Sequence, residues 1–139
     1  MAIQRVELPE VESIIGDAFP LRDEDAYRRE AQSSTLAADA VRGAQMVMAA
    51  NAGYTEEQFL GQTGSGLAGV FGQRVHGFGR DHDRHTNVAA WLNIGADNIE
   101  TTKAAMNRAM AGYTSSHFAR MLAPTTHARQ ARRSTESTG

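Results

Sequence analysis

The chain contains no cysteine. Disulfide staples and thiolate chemistry are therefore excluded, and the compartment is left open. Proline is nearly absent: Pro9, Pro20 and Pro124 are the only ones, so residues 21–123 are free of the strongest helix breaker. β-Branched runs are missing too, and aromatic residues make up only 6% of the chain. No apolar run approaches the roughly 20 residues that a membrane-spanning helix needs. The N-terminus, MAIQRVELPEVESII, is acidic where a secretory signal is basic and then apolar. A general basic face is also lacking. The net charge is -2, which argues against a general nucleic-acid binder.

What the chain does have is alanine, glycine and helical periodicity. Apolar residues reach 41%, much of it Ala, the best helix former and a side chain that lets helices approach closely. A chain of 139 residues is one domain by length, with room for a modest core. The fold class expected is all-α: an antiparallel long-helix hairpin or a three-helix bundle. Residues 1–20 form an acidic lead-in, 21–123 the helical domain and 124–139 a disordered basic tail. The acidic lead-in and first turn carry Glu7, Glu10, Glu12, Asp17, Asp23, Glu24 and Asp25. Towards the other end Arg120, Arg129, Arg132 and Arg133 face Glu136 alone, and such a tail is read as solvated.

The lead-in has an apolar cluster, Val11, Ile14, Ile15, Ala18 and Phe19, consistent with a short helix that Pro20 ends. Asp23, Glu24 and Asp25 then put negative charge where a helix start favours it. The spacing predicts a first long helix over residues 23–51. Tyr27, Ala31, Ser34, Ala38, Val41, Gln45 and Met48 share one face, alternately four and three apart. Leu36, Ala40, Ala44 and Val47 make a second stripe, as a helix touching more than one neighbour would have. Asn51 and Gly53 are good terminators. Thr55-Glu56-Glu57-Gln58 matches a capping box, which places the next helix start near Thr55.

The longest stripe comes next: Leu67, Phe71, Arg74, Phe78, Asp81, His85, Val88, Leu92, Gly95, Ile99, Thr102, Met106, Ala109 and Tyr113. It runs through many glycines, each costing about 1 kcal/mol in a helix interior, which close packing must offset. Residues 77–85, GFGRDHDRH, combine glycine with a polar seam and predict a bend or loop. The last helix is then expected from Thr86 or Asn87 to Gly112.

No motif carries chemistry of comparable clarity. Residues 64–69, GSGLAG, match the dinucleotide fingerprint, but a capped helical start precedes them instead of a buried strand. His76, His82 and His85 lie near Asp81 and Asp83 without a zinc-binding HExxH pattern. They suit a solvated, charged bend, or a site sensitive to pH. Serines 33, 34, 65, 115 and 116 belong to no nucleophile elbow. Trp91, the only tryptophan, reads as a core or interface anchor. The six methionines read as core filling or as an adaptable partner surface.

Three segments together resemble the Trp-x-Gly helical-hairpin superfamily of type VII secretion substrates, in particular the larger N-terminal domains of actinobacterial effectors and toxins. Residues 19–41, FPLRDEDAYRREAQSSTLAADAV, are similar to its acidic helix start and Ala-rich repeats. Phe59-Leu60-Gly61 stands where the family has Trp-x-Gly between two long helices. Residues 95–106, GADNIETTKAAM, resemble its late second helix. The chain departs from the pattern in having Phe59 in place of the tryptophan. Neither Tyr54 nor Tyr113 is followed four residues on by Asp or Glu, the family's export element, so export by this route would rely on a partner's signal.

The resemblance implies a non-enzymatic secretion or assembly module that pairs with a helical partner or with itself. A secretion chaperone is one possible partner. The module would be secreted or associated with the cell envelope, the alternative being cytoplasmic. No cofactor, metal, small-molecule substrate or specific nucleic acid is expected. Tyr27, Phe59, Gly61, Phe71, Trp91, Leu92, Ile99 and Met106 are the expected packing or interface determinants. One rival is a self-assembling ring or filament protein. Another is a metal-binding or enzymatic helical domain using His76, His82 and His85.

Overall fold

The computed structural model describes residues 1–7, 16–59 and 61–122. Two long helices dominate it: α1, Glu24–Gln58, and α2, Gln62–Leu122. A 3-10 turn, Gly16–Ala18, precedes them. There is no strand among the described residues. The helices pack as an all-α hairpin. The expected short N-terminal helix falls largely outside the described residues, with Val11, Ile14 and Ile15, as does the basic tail; Gly16–Ala18 is described as a 3-10 turn. The chain divides into two compact units. One joins Met1–Ile3 to Leu21–Thr101, the other Gln4–Pro20 to Thr102–Gly139.

In the first unit, α1 starts as its acidic sequence requires. Asp23 is the N-cap, and its carboxylate accepts from the Asp25 N–H at 2.9 Å, which satisfies one of the helix's orphan donors. The inward face is the stripe read from the sequence: Tyr27, Ala31, Ser34, Ala38, Val41, Gln45 and Met48 are buried or half-buried. The stripe continues to Ala52 and Thr55, so α1 runs through Asn51 and Gly53 rather than stopping there. Thr55 is no cap. It is buried, and its carbonyl accepts the closing bond from the Phe59 N–H at 2.9 Å. Packing of the seam outweighs two weak stop signals.

The helices reverse at Phe59–Gly61. Phe59 is extended, and Gly61 has φ +85°, the left-handed region that a side chain resists. Gly64 sits so close that a Cβ there would lie 1.6 Å from the Phe59 carbonyl oxygen. The Gly61 carbonyl then accepts from the Ser65 N–H at 3.2 Å, opening α2.

α2 has no bend at residues 77–85. Phe78, His82 and His85 turn inward at helical spacing. The Gln45 side chain donates to the Val75 carbonyl at 3.2 Å. A Cβ on Gly79 would lie 3.1 Å from the same amide nitrogen, so this glycine marks a close approach of the two helices. Asp81 and Arg84 pair on the helix surface at 3.2 Å. The polar residues thus sort to the two sides of one continuous helix.

The α2 seam also corrects part of the sequence stripe by one position. Phe71, Phe78, Asp81, His85, Leu92, Gly95, Ile99 and Met106 are half-buried as expected. Leu67, Arg74, Val88, Thr102, Ala109 and Tyr113 are exposed, and the residue after each turns in: Ala68, Val75, Ala89, Lys103, Met110 and Thr114. Ala96 is fully buried, at 0% exposure. At Ala68, Ala89 and Ala96 small side chains take the seam because they let the backbones approach, while the larger Leu67 and Val88 stay outside.

In the second unit, the N-terminal segment lies on the later part of α2. Phe19 and Lys103 are buried, with the Lys103 ammonium 6.0 Å from the Phe19 ring centroid. Asn107 holds the main chain at Gln4 and Val6. Tyr113 and His117 stack at 5.9 Å.

Candidate helix-pairing surface

The inner seam of the first unit fixes what the outer faces can present. The Tyr27 ring lies over Gly95, where a Cβ would come within 3.2 Å of two ring carbons. Arg28 reaches from α1 to two carboxylates of α2: Asp97 at 3.0 Å and Glu100 in a very short contact. These carboxylates raise the Arg28 pKa above its ordinary value, Glu100 contributing most. Gln45 bonds the Val75 carbonyl further along. Residue numbers rise along α1 as they fall along α2, so the pairing is antiparallel and its register is fixed at three places. Glu24 is buried and accepts from the Ile3 N–H.

Turned away from that seam is a second stripe on α1. Leu36, Ala40, Gly43, Val47, Ala50 and Tyr54 are all exposed and, like the buried seam, are spaced alternately four and three. No charged residue belongs to it. Val47 and Tyr54 are 62% and 63% exposed, and Met46 beside them 68%. Over residues 43–73 the only charges are Glu56 and Glu57. A solvated helix face normally carries charges. On α2, Val88, Trp91 and Ile94 form a smaller exposed group one helical turn apart.

The expected determinants therefore fall into three places. Tyr27, Phe71, Leu92, Ile99 and Met106 are half-buried on inward faces. Phe59 and Gly61 form the reversal, with Phe59 52% exposed. Trp91 is 73% exposed and lies outside the core. Gln45 lies on the stripe read from the sequence and Gly64 and Gly79 are among the glycines that close packing must offset, whereas Arg28, which ties the helices, was not singled out from the sequence. Its signal was faint, because long charged side chains are common on solvated helices.

The rival motifs find no supporting geometry. Residues 64–69 are helical, and no strand precedes them among the described residues. His76 is exposed, whereas His82 and His85 are half-buried, and His82 contacts Asp83 at 3.3 Å. Among the described residues no three His, Asp or Glu side chains form a group able to hold a metal ion. No helix there is long and apolar enough to cross a membrane.

The class this architecture defines is a two-helix hairpin with an uncharged outer stripe. Comparison with family models, curated proteins and solved structures gave no match.

Proposed function

We propose that this chain is a non-enzymatic helical module that works by pairing its outer faces with another helical protein or a second copy, in the manner of type VII secretion substrates. The observation that carries this reading is the exposed stripe from Leu36 to Tyr54, which repeats the spacing of a buried seam without a neighbour on it among the described residues. The kinship with secretion substrates rests on the sequence resemblance and is supported by the position of Phe59–Gly61 at the reversal between two long helices. A secreted or cell-envelope location and a chaperone-like partner follow from that kinship alone.

The mechanism is burial of apolar area on association. At roughly 25 cal/mol per Å2, a stripe of six positions supplies useful energy only if a partner helix lies along its whole length. The test is light scattering over a concentration range, with and without Val47→Asp, beside capture of partners from the native host. A defined oligomer or a stoichiometric helical partner, lost in Val47→Asp, is expected. A chain that stays monomeric, and whose captured partners are unaffected by Val47→Asp, overturns the reading.

A further inference from the structure

The outer stripe of α1 has the same spacing in both directions. From Leu36 through Ala40, Gly43, Val47 and Ala50 to Tyr54, its steps are four, three, four, three and four. All six residues are exposed, and they cover about 27 Å of helix at 1.5 Å per residue. A run with that symmetry fits a second copy of itself laid antiparallel, about a two-fold axis level with residue 45. Leu36 then meets Tyr54 of the other copy, Ala40 meets Ala50, and Gly43 meets Val47. The bulky pairs stand at the two ends. Small residues hold the middle, where they let the backbones approach and Val47 fills the space that Gly43 leaves. Met46, 68% exposed beside the stripe, comes near its own counterpart across the axis and adds apolar area.

A shift of one heptad breaks this match. In one direction Glu57 falls against Ala40, inside the apolar stretch; in the other Ala50 falls against Ser33 and Tyr54 against Arg29. Charge then selects the orientation. Continued at the same spacing, the stripe reaches exposed Ser33 and Arg29 before Leu36 and exposed Glu57 after Tyr54. Antiparallel pairing brings Glu57 of each copy to the end where Ser33 and Arg29 of the other stand. Parallel pairing would set Arg29 on Arg29 and Glu57 on Glu57, and like charges facing each other are unfavourable. These solvated ends set direction and add little strength. The attraction comes from the apolar middle.

Resting on the pairing role proposed for this face, we infer that its occupant is a second copy of the chain, bound antiparallel through α1 with Leu36 against Tyr54, Ala40 against Ala50 and Gly43 against Val47. The contact is isologous, so each copy gives and receives the same surface and assembly closes at two. The buried seam with α2 lies on the other side of α1 and is left intact by it.

The full chain has no cysteine, so Ala40→Cys and Ala50→Cys each place one thiol on the exposed stripe. Each variant, and an equal mixture of the two, is treated with a short bismaleimide at the concentrations used for light scattering. In this register a thiol of one variant lies opposite a thiol of the other, while two thiols of the same variant stand about 15 Å apart along the axis, beyond the linker. The mixture is expected to form covalent dimers at least about tenfold faster than either variant alone, because pairing holds the facing thiols at high effective concentration. Val47→Asp, added to both variants, is expected to abolish the links and the dimer together. If the mixture links no faster than the single variants, the antiparallel register is overturned, while a dimer lost in Val47→Asp keeps the face. A chain that stays monomeric but loses a captured helical partner in Val47→Asp overturns the second copy as occupant and leaves the pairing role of the face standing. A monomer without such a partner, or a dimer indifferent to Val47→Asp, overturns both.

Discussion

At the scale of single residues, glycine plays opposite parts along the same helices. Gly61 sits at φ +85°, and Gly64 leaves no room for a methyl group against the Phe59 carbonyl. Both are needed by the reversal. Gly61→Ala and Gly64→Ala should each cost about 1 kcal/mol or more, seen as a lower midpoint in urea unfolding. Gly69 is different: it is exposed, helical, and a Cβ there would meet nothing within 4 Å. Gly69→Ala should stabilise the chain by about 0.5–1 kcal/mol in the same titration. Close packing therefore accounts for Gly64, Gly79 and Gly95 but not for the glycines whose added Cβ would meet open space, such as Gly66, Gly69 and Gly72. Sequence spacing does not separate the two kinds, because the difference lies in what stands opposite.

At the scale of the helices, the seam was legible where its columns are unambiguous. On α1 each inward position from Tyr27 to Met48 has the face its spacing predicts. On α2 one column was legible as far as Met106, and the other was displaced by one residue except at Asp81 and Gly95, because Leu67 and Val88 outrank Ala68 and Ala89 in hydrophobicity but not in fit. The absence of a bend at residues 77–85 was hidden for a related reason: its support comes from Gln45 on the other helix. Three substitutions separate inside from outside. Ala96→Leu overfills a position with no exposed surface and should cost about 1–3 kcal/mol. Ile99→Asp places a charge in the half-buried seam and should cost about 2–3 kcal/mol. Trp91→Ala, on the outer face, should leave thermal stability within about 0.5 kcal/mol of the parent while weakening any partner bound there. If Trp91→Ala proves as costly as Ala96→Leu, the assignment of faces on α2 is wrong. Arg28 supplies register more than strength. Its ion pairs to Asp97 and Glu100 are exposed, so Arg28→Ala should shift the midpoint only slightly, and less still at high salt. The raised Arg28 pKa keeps it charged throughout any practical pH range. The contribution would be lost only as pH rose through that still higher value.

At the scale of the whole molecule, charge is distributed unevenly along the sequence, and this decides how any assembly should respond to salt. Residues 43–73 hold only Glu56 and Glu57, whereas Arg28, Arg29, Asp39 and Arg42 precede them on α1 and Arg74, Arg80, Asp81, Asp83 and Arg84 follow on α2. The exposed stripe lies largely in the uncharged stretch. Association through it would bury apolar side chains and release few ions. Its strength should then be nearly independent of added sodium chloride, or rise slightly, because screening has little attraction to weaken there. Association through the arginines near the C-terminus would behave oppositely and fall steeply with salt, as contacts to an acidic partner do. Sedimentation of the full chain at low and high salt, alone and with any captured partner, separates the two. A salt-insensitive complex that Val47→Asp abolishes assigns pairing to the outer face of α1. A complex that dissolves with salt and tolerates Val47→Asp assigns it to the charged residues and leaves the uncharged stripe without a part in pairing.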